Sequence, residues 1–211
     1  ILIGLSVSVE NLDKIIKIIR SSKTPDDAKK ALNALHAAFF EDQTKQLNLF
    51  VVGVGNVGGK LIEQIRKQQQ YLLDNLRVQV RVIALTNSKK MVFNEDGIDL
   101  ENWKPALEKG SALNMDLFHQ KVTDLNHRNS IFIDNTANEN ISKLYASYLK
   151  ESVAVVTCNK IACSSNYTNY LHLKQLAREY NAPFLFETNV GAGLPIIDTL
   201  KNLIVSGDKV N

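Results

Sequence analysis

The run LNLFVVGVGNVGG at residues 47–59 constrains this chain more than any other stretch. A nearly continuous apolar segment, as a strand buried on both faces requires, leads directly into Gly53-x-Gly55-x-x-Gly58. From Asn56 to about Leu73 the pattern turns helical, and Leu61, Ile65 and Tyr71 are predicted to face inward. Each glycine has a task in such a strand-turn-helix unit. Gly53 permits the tight turn, Gly55 lets backbone approach a pyrophosphate, and Gly58, helped by Gly59, lets helix and strand pack closely. The helix N-terminus then offers unpaired N–H groups and partial positive charge to phosphates. The same spacing also suits a strand-to-helix turn that holds no ligand.

Downstream, apolar runs alternate with helical periods. VQVRVIALTNS, SIFIDNTA, VAVVTCNK and PFLFETNV read as strands. Helices are predicted around DLENWKPALEKG and over NMDLFHQKVTDLN, NENISKLYASYLKES, SNYTNYLHLKQLAREYN and LPIIDTLKNLIVSG. This alternation implies βαβ units, an α/β fold with a doubly wound, mostly parallel sheet. Residues 1–45 follow another regime. LIGLSVSV reads as a strand, NLDKIIKIIRSSKT as a short helix entered through Asn11, and TPDDAKKALNALHAAFF as a longer one. The longer helix has Thr24 as N-cap, Pro25 in its first turn, and an apolar stripe of Ala31, Leu32, Leu35, Ala38 and Phe39.

Bulk properties narrow the function. Net charge is +3 and dispersed, which argues against nucleic acid as a partner. No apolar run reaches the length of a membrane span. Two cysteines, Cys158 and Cys163, are too few for a disulfide framework, so a reducing cytoplasm is the expected compartment. The four histidines show no zinc-ligand spacing.

Ligands of open α/β sheets sit beyond the carboxyl ends of the strands, so those ends hold the candidate chemistry. The second strand ends ALTNSKKM, without the acid that would read a ribose 2′-hydroxyl for NAD. Asn87 and Ser88 can hydrogen-bond a ribose or phosphate, and Lys89 and Lys90 can neutralise a 2′-phosphate. This leans towards NADP with tolerance of NAD, against the alternative of a polar turn with solvated lysines. The spacing from the glycines, about 30 residues, exceeds the usual 20 or so. FIDNTAN presents Asp134, Asn135, Thr136 and Ala137. VVTCNK presents Asn159 and Lys160, a lysine whose pKa would fall if the cleft desolvated it, or else a surface lysine. Cys158 and Cys163 bracket it and read as buried or incidental thiols. FETNVGAGLP presents Glu187 before a glycine-rich turn, a pattern that suits a hard cation or simply a demanding loop.

Together, GVGNVGGKLIEQI, NSKKM, DGIDLENW, DNTANENISKLYASYL, VVTCNKIA and FETNVGAGLPIIDTLKNLIVSGD resemble homoserine dehydrogenase over residues 47–211. More narrowly, they resemble the dehydrogenase half of the bifunctional aspartokinase–homoserine dehydrogenases. The resemblance implies a Rossmann-type domain over residues 46–211, preceded at residues 1–45 by the end of an ACT regulatory region. The implied reaction interconverts L-homoserine and L-aspartate 4-semialdehyde with a nicotinamide cofactor, in threonine and methionine biosynthesis. A soluble homo-oligomer is expected. The resemblance places the pyrophosphate on Gly53, Gly55, Asn56, Val57 and Gly58, and further cofactor contacts on Thr136 and Ala137. It gives Lys160 the place facing nicotinamide and substrate. Glu187 with the carbonyls of Val190, Ala192 and Leu194 would form a monovalent cation site, for sodium. Cys158 departs from the proline of many members. In the family the chain continues into a substrate domain, which residues 1–211 are not expected to include. The 211-residue chain alone is therefore expected to bind NADP(H) weakly or not at all and to turn over negligibly. The competing reading is a non-catalytic nucleotide-sensing module that regulates a fused partner, which would need neither Lys160 nor the ETNVGAGLP turn.

Overall fold

The computed structural model describes residues 44–209. The chain divides into two units, Ile1–Thr44 and Lys45–Asn211, and the described elements belong to the second. The ACT-like strand and helices expected near the N-terminus lie outside the described residues.

The strands are β1 (Lys45–Val52), β2 (Val78–Thr86), β3 (Lys90–Phe93), β4 (Ser111–Ala112), β5 (Ser130–Asp134), β6 (Ala154–Thr157) and β7 (Phe184–Leu185). The helices are α1 (Asn56–Leu76), α2 (Trp103–Glu108), α3 (Met115–Leu125), α4 (Glu139–Ser142), α5 (Tyr145–Lys150), α6 (Ile161–Ser164), α7 (Tyr167–Glu179) and α8 (Ile197–Ser206). One sheet has the order β4-β3-β2-β1-β5-β6-β7. Its five strands from β2 to β7 run parallel, while β3 and β4 add an antiparallel edge.

Period-2 alternation along β1 explains why helices cover both faces. Leu49 and Val51 enter one cluster with Ile62 of α1 and Leu107 of α2. Phe50 and Val52 enter the other, with Phe118 of α3, Ile141 of α4, Tyr148 of α5 and Leu173 of α7. The central strand is thus buried on both sides, as its unbroken apolar sequence requires. From β1 the chain pairs first with β2 and later returns to pair β5 on the opposite edge. That reversal opens a crevice at the carboxyl ends of β1 and β5.

Four local expectations need correction. Tyr71 is exposed, while Ile62 is fully buried and Leu72 packs beside its cluster. Tyr71 lies about two and a half turns beyond Ile62, so it points to the opposite side of the helix. The segment NENISKLYASYLKES forms two short helices. Leu144 N donates to Ile141 O at 3.1 Å, a tightened turn that interrupts the helical ladder. The strand expected at PFLFETNV holds only two residues, after which Glu187–Asn189 forms a 3₁₀ turn. The hairpin strand Lys90–Phe93 has no counterpart among the expected elements. Asn87 Oδ1 accepts from the backbone N–H groups of Lys89 and Lys90 at 2.8 and 2.7 Å, turning the chain back along β2.

Candidate functional site

The glycine turn is built by its neighbours. Gly53 N and Val54 N both donate to Thr86 O of β2, at 3.0 and 3.1 Å, and Asn135 N donates to Val52 O at 2.9 Å. This pins the turn between the ends of β2 and β5. Gly53 has φ +88°, a conformation that side chains disfavour, and a Cβ there would lie 2.7 Å from Thr136 Cγ2. A Cβ on Gly58 would lie 2.0 Å from Gly53 O. The first turn of α1 therefore sits directly on the strand end. Its N-cap, Gly55, supplies no side-chain acceptor, and its first turn holds no acid. The amides of Asn56, Val57 and Gly58 stay available, on a surface where Gly55, Asn56 and Val57 are exposed.

Asn135 packs beneath the start of the helix. Its Nδ2 is buried without a hydrogen-bond partner, and it would lie 3.2 Å from a Cβ on Gly58. The free helix amides, on an exposed turn whose N-cap carries no side chain, fit an anionic ligand lying against backbone. The residues present fit the pyrophosphate of a dinucleotide.

Beside this turn lies a cleft of about 710 Å³. It is lined by Gly55, Asn56 and Gly59 on one side and by Trp103 and Lys104 on the other, with Lys60 and Arg66 along α1. Arg66 pairs with Glu101 across it. Asn87, Ser88 and Lys89 do not line it. Ser88 and Lys89 are exposed at the hairpin turn, the Asn87 amide oxygen is engaged by that turn, and Lys90 Nζ donates to Gly110 O at 3.0 Å. Trp103 and Lys104 escape a reading of the sequence because they lie in a connecting segment, away from any parallel strand end. The only signal is the WK pair at the start of a short helix.

The ends of β5 and β6 are joined by buried polar groups. Asp134 is fully buried. Its Oδ1 accepts from Thr136 N at 2.7 Å, and its Oδ2 accepts from Tyr145 Oη at 2.6 Å and Asn159 Nδ2 at 3.0 Å. Burial, and then the Asp134 charge, push the Tyr145 hydroxyl far above the usual phenol range, so it remains a donor. In sequence Tyr145 shows only as part of a helix. Its role depends on α5 crossing beneath the strand ends.

Lys160 follows Asn159 as the N-cap residue of α6. Its side chain is exposed, so the described residues do not supply the desolvation expected from the sequence. Thr136 is half-buried and Ala137 exposed at the adjacent end of β5. The two thiols are half-buried, and burial raises the pKa of each, the reverse of what a nucleophile requires.

Glu187, Val190, Ala192 and Leu194 fall in one turn, closed by Leu194 N donating to Gly191 O at 3.0 Å. Ala192 takes a left-handed conformation at φ +51°. The Glu187 carboxylate accepts from Ile197 N at 2.8 Å and Asp198 N at 3.0 Å, and so caps α8. Among the described residues, no group of three or more His, Cys, Asp or Glu side chains could hold a metal. Among them, too, no helix is long and apolar enough to cross a membrane.

Comparison with known proteins gives the family. Residues 53–187 match the family described as homoserine dehydrogenase, NAD binding domain. A bifunctional aspartokinase/homoserine dehydrogenase of Haemophilus influenzae is 41% identical over 182 residues, covering 86% of this chain and 22% of that protein. The chloroplastic bifunctional aspartokinase/homoserine dehydrogenase 2 of Arabidopsis thaliana is 40% identical over 188 residues, 88% of this chain and 20% of that protein. The chain thus spans about a fifth of the length of these curated relatives. Among solved structures, a hyperthermophilic archaeal homoserine dehydrogenase in complex with NADPH superposes with a TM-score of 0.61 at 29% identity, over 76% of this chain and 50% of that one. The homoserine dehydrogenase of Thermoplasma acidophilum, at 17% identity and a TM-score of 0.61, shares the fold. The chain belongs to the homoserine dehydrogenase family and carries its Rossmann-type NAD-binding domain.

Proposed function

We propose that this domain serves an enzyme interconverting L-homoserine and L-aspartate 4-semialdehyde, with NADP preferred over NAD, and that the full-length protein also carries aspartate kinase activity. The observation that carries the reading is the pinned glycine turn at the β1/β5 crevice, with Lys160 at the next strand end. The amides of Asn56, Val57 and Gly58, with the backbone of Gly53 and Gly55, hold the pyrophosphate. Thr136 and Ala137 flank the nicotinamide half. When bound, the dinucleotide supplies or accepts the hydride. Lys160 meets the substrate oxygen whose proton is lost or gained. The Glu187 carboxylate, shared with the N-terminus of α8, and the carbonyls of Val190, Ala192 and Leu194 hold a sodium ion. A role in threonine and methionine biosynthesis, a cytoplasmic location and a homo-oligomer complete the reading.

The cation that reads a 2′-phosphate belongs in the cleft beside the glycine turn, which favours Lys104 over Lys89. Steady-state kinetics of the full-length protein test the whole reading, with homoserine and either NADP or NAD. Homoserine-dependent reduction of neither dinucleotide would sink it. Loss of one charged contact is expected to cost about 1.5–3 kcal/mol, or tenfold and more in kcat/KM for NADP. Lys104→Glu should show that loss with NADP and a smaller one with NAD. A loss on Lys89→Glu alone would return the phosphate to the hairpin turn.

A further inference from the structure

The crevice brings together two loops that a dehydrogenase must hold in fixed relation, the one after β5 and the one bearing Lys160. Buried polar groups join them. Asp134 bonds Thr136 N in the first loop and Asn159 Nδ2 in the second. Asn159 is buried to 2% exposure and uses every polar group of its amide. It donates also to Asn138 O at 3.0 Å, and its Oδ1 accepts from Ile161 N at 3.1 Å. Its own N–H donates to Thr157 Oγ1 at 2.9 Å, and that hydroxyl lies 2.7 Å from Tyr145 Oη. Its carbonyl accepts from Asn189 Nδ2 in the 3₁₀ turn after β7, at 3.3 Å. One chain of hydrogen bonds therefore crosses three consecutive strand ends, and Lys160 extends from its middle.

We propose that Asp134 is a positioning residue, a buried carboxylate that sets the Asn159–Lys160 backbone against the Thr136 loop; the kinetic part of this proposal rests on the dehydrogenase reading above. The chemistry demands a carboxylate there. A buried carboxylate is costly without donors, and the three donors facing Asp134 need an acceptor at each oxygen. An asparagine at 134 would set its NH2 either against Thr136 N or, turned over, against the Asn159 amide. Flipping Asn159 would relieve that clash but strip Ile161 N of its acceptor and Asn138 O of its donor.

In the full-length protein, with homoserine and NADP as probes, Asp134→Asn is expected to lower kcat about 100-fold, as displacement by an ångström does. The KM for homoserine should stay within about threefold, since the substrate's own contacts are kept. Asn159→Asp alone sets two carboxylates face to face and should lose as much. The double variant restores a donor facing an acceptor between 134 and 159 but still sets the 159 carboxylate against Asn138 O, so it should recover kcat in part, above the worse single variant. Near-normal kcat in both single variants, or a double variant no better than the worse single, overturns the proposal. If Asp134→Asn fails to fold, Thr157→Val decides, because it removes the hydroxyl that accepts from Asn159 N and bonds Tyr145 Oη and Asp134 O while leaving the carboxylate in place; an unchanged kcat then overturns it. Hydrogen exchange of peptides covering residues 158–161 reads the loop without catalysis. Asp134→Asn, or Thr157→Val in its place, should speed exchange there and leave β1 unchanged, and unaltered exchange at 158–161 overturns the proposal. An unmodified protein inactive on homoserine would refute the dehydrogenase reading alone, with exchange still deciding the positioning role.

Discussion

In the full-length protein, Gly58→Ala is expected to weaken NADPH binding at least about 100-fold, nearly 3 kcal/mol, and to lower the melting temperature. The added Cβ would lie 2.0 Å from Gly53 O and 3.0 Å from Gly53 C, both backbone atoms. Gly53 cannot retreat, since its N–H and that of Val54 are bonded to Thr86 O, while Asn135 N holds Val52 O. The first turn of α1 must lift away instead. Overpacking of this kind costs about 1–3 kcal/mol in stability. It also moves the amides of Asn56 and Val57 off the position an anion would occupy. Gly59→Ala is the control, because a Cβ there meets nothing within 4 Å. It should keep or raise stability, by up to about 1 kcal/mol from helix propensity. Calorimetry and a fluorescence titration with NADPH measure both. Normal binding and melting for Gly58→Ala would mean that the close approach of helix and strand is not required.

Lys160→Ala is expected to lower kcat of the full-length protein by about 10²–10⁴, the range for a group that handles a proton in the transition state. The melting temperature should hardly change. Lys160 is exposed, and exposed substitutions usually fall within about 0.5 kcal/mol. Kinetics and melting together separate this residue from Asp134, whose loss should also disturb the fold. A Lys160→Ala protein with kcat within about threefold of normal would take the lysine out of the chemistry.

Much of the site is legible along the chain because it obeys short-range rules. The apolar run of β1, the φ +88° demanded of Gly53 and the helical start at Asn56 all lie within a dozen residues of one another. The strand ends at Asp134 and Asn159 follow from apolar runs that stop at polar residues. Where the expectations fail, two signals compete. LTNSKKMVF carries a strand and a turn at once, and Asn87 decides for the turn by accepting from two amides. PFLFETNV has strand composition, but the Glu187 side chain reaches α8, and the backbone leaves the sheet at Phe186. Tyr71 misleads because an aromatic residue near an inward stripe invites burial, whereas the turn angle of the helix excludes it.

By itself the sequence determined the alternation of parallel strands and helices, the glycine turn and the candidate residues at each strand end, and its six family motifs led to homoserine dehydrogenase. The elements and the turn depend on local backbone preference and on periodicity, which act between near neighbours, whereas the family followed from the resemblance of the motifs. Tertiary structure alone decided which ends meet. The return of the chain from β1 to β5 brings Asn135 under Gly58, α5 carries the Tyr145 hydroxyl to Asp134, and the connection after β3 lays Trp103 and Lys104 beside the glycine turn. Those contacts join residues far apart in the chain. They exist only once both faces of the sheet are covered, because the helices that bury the two apolar clusters also carry the polar groups into place.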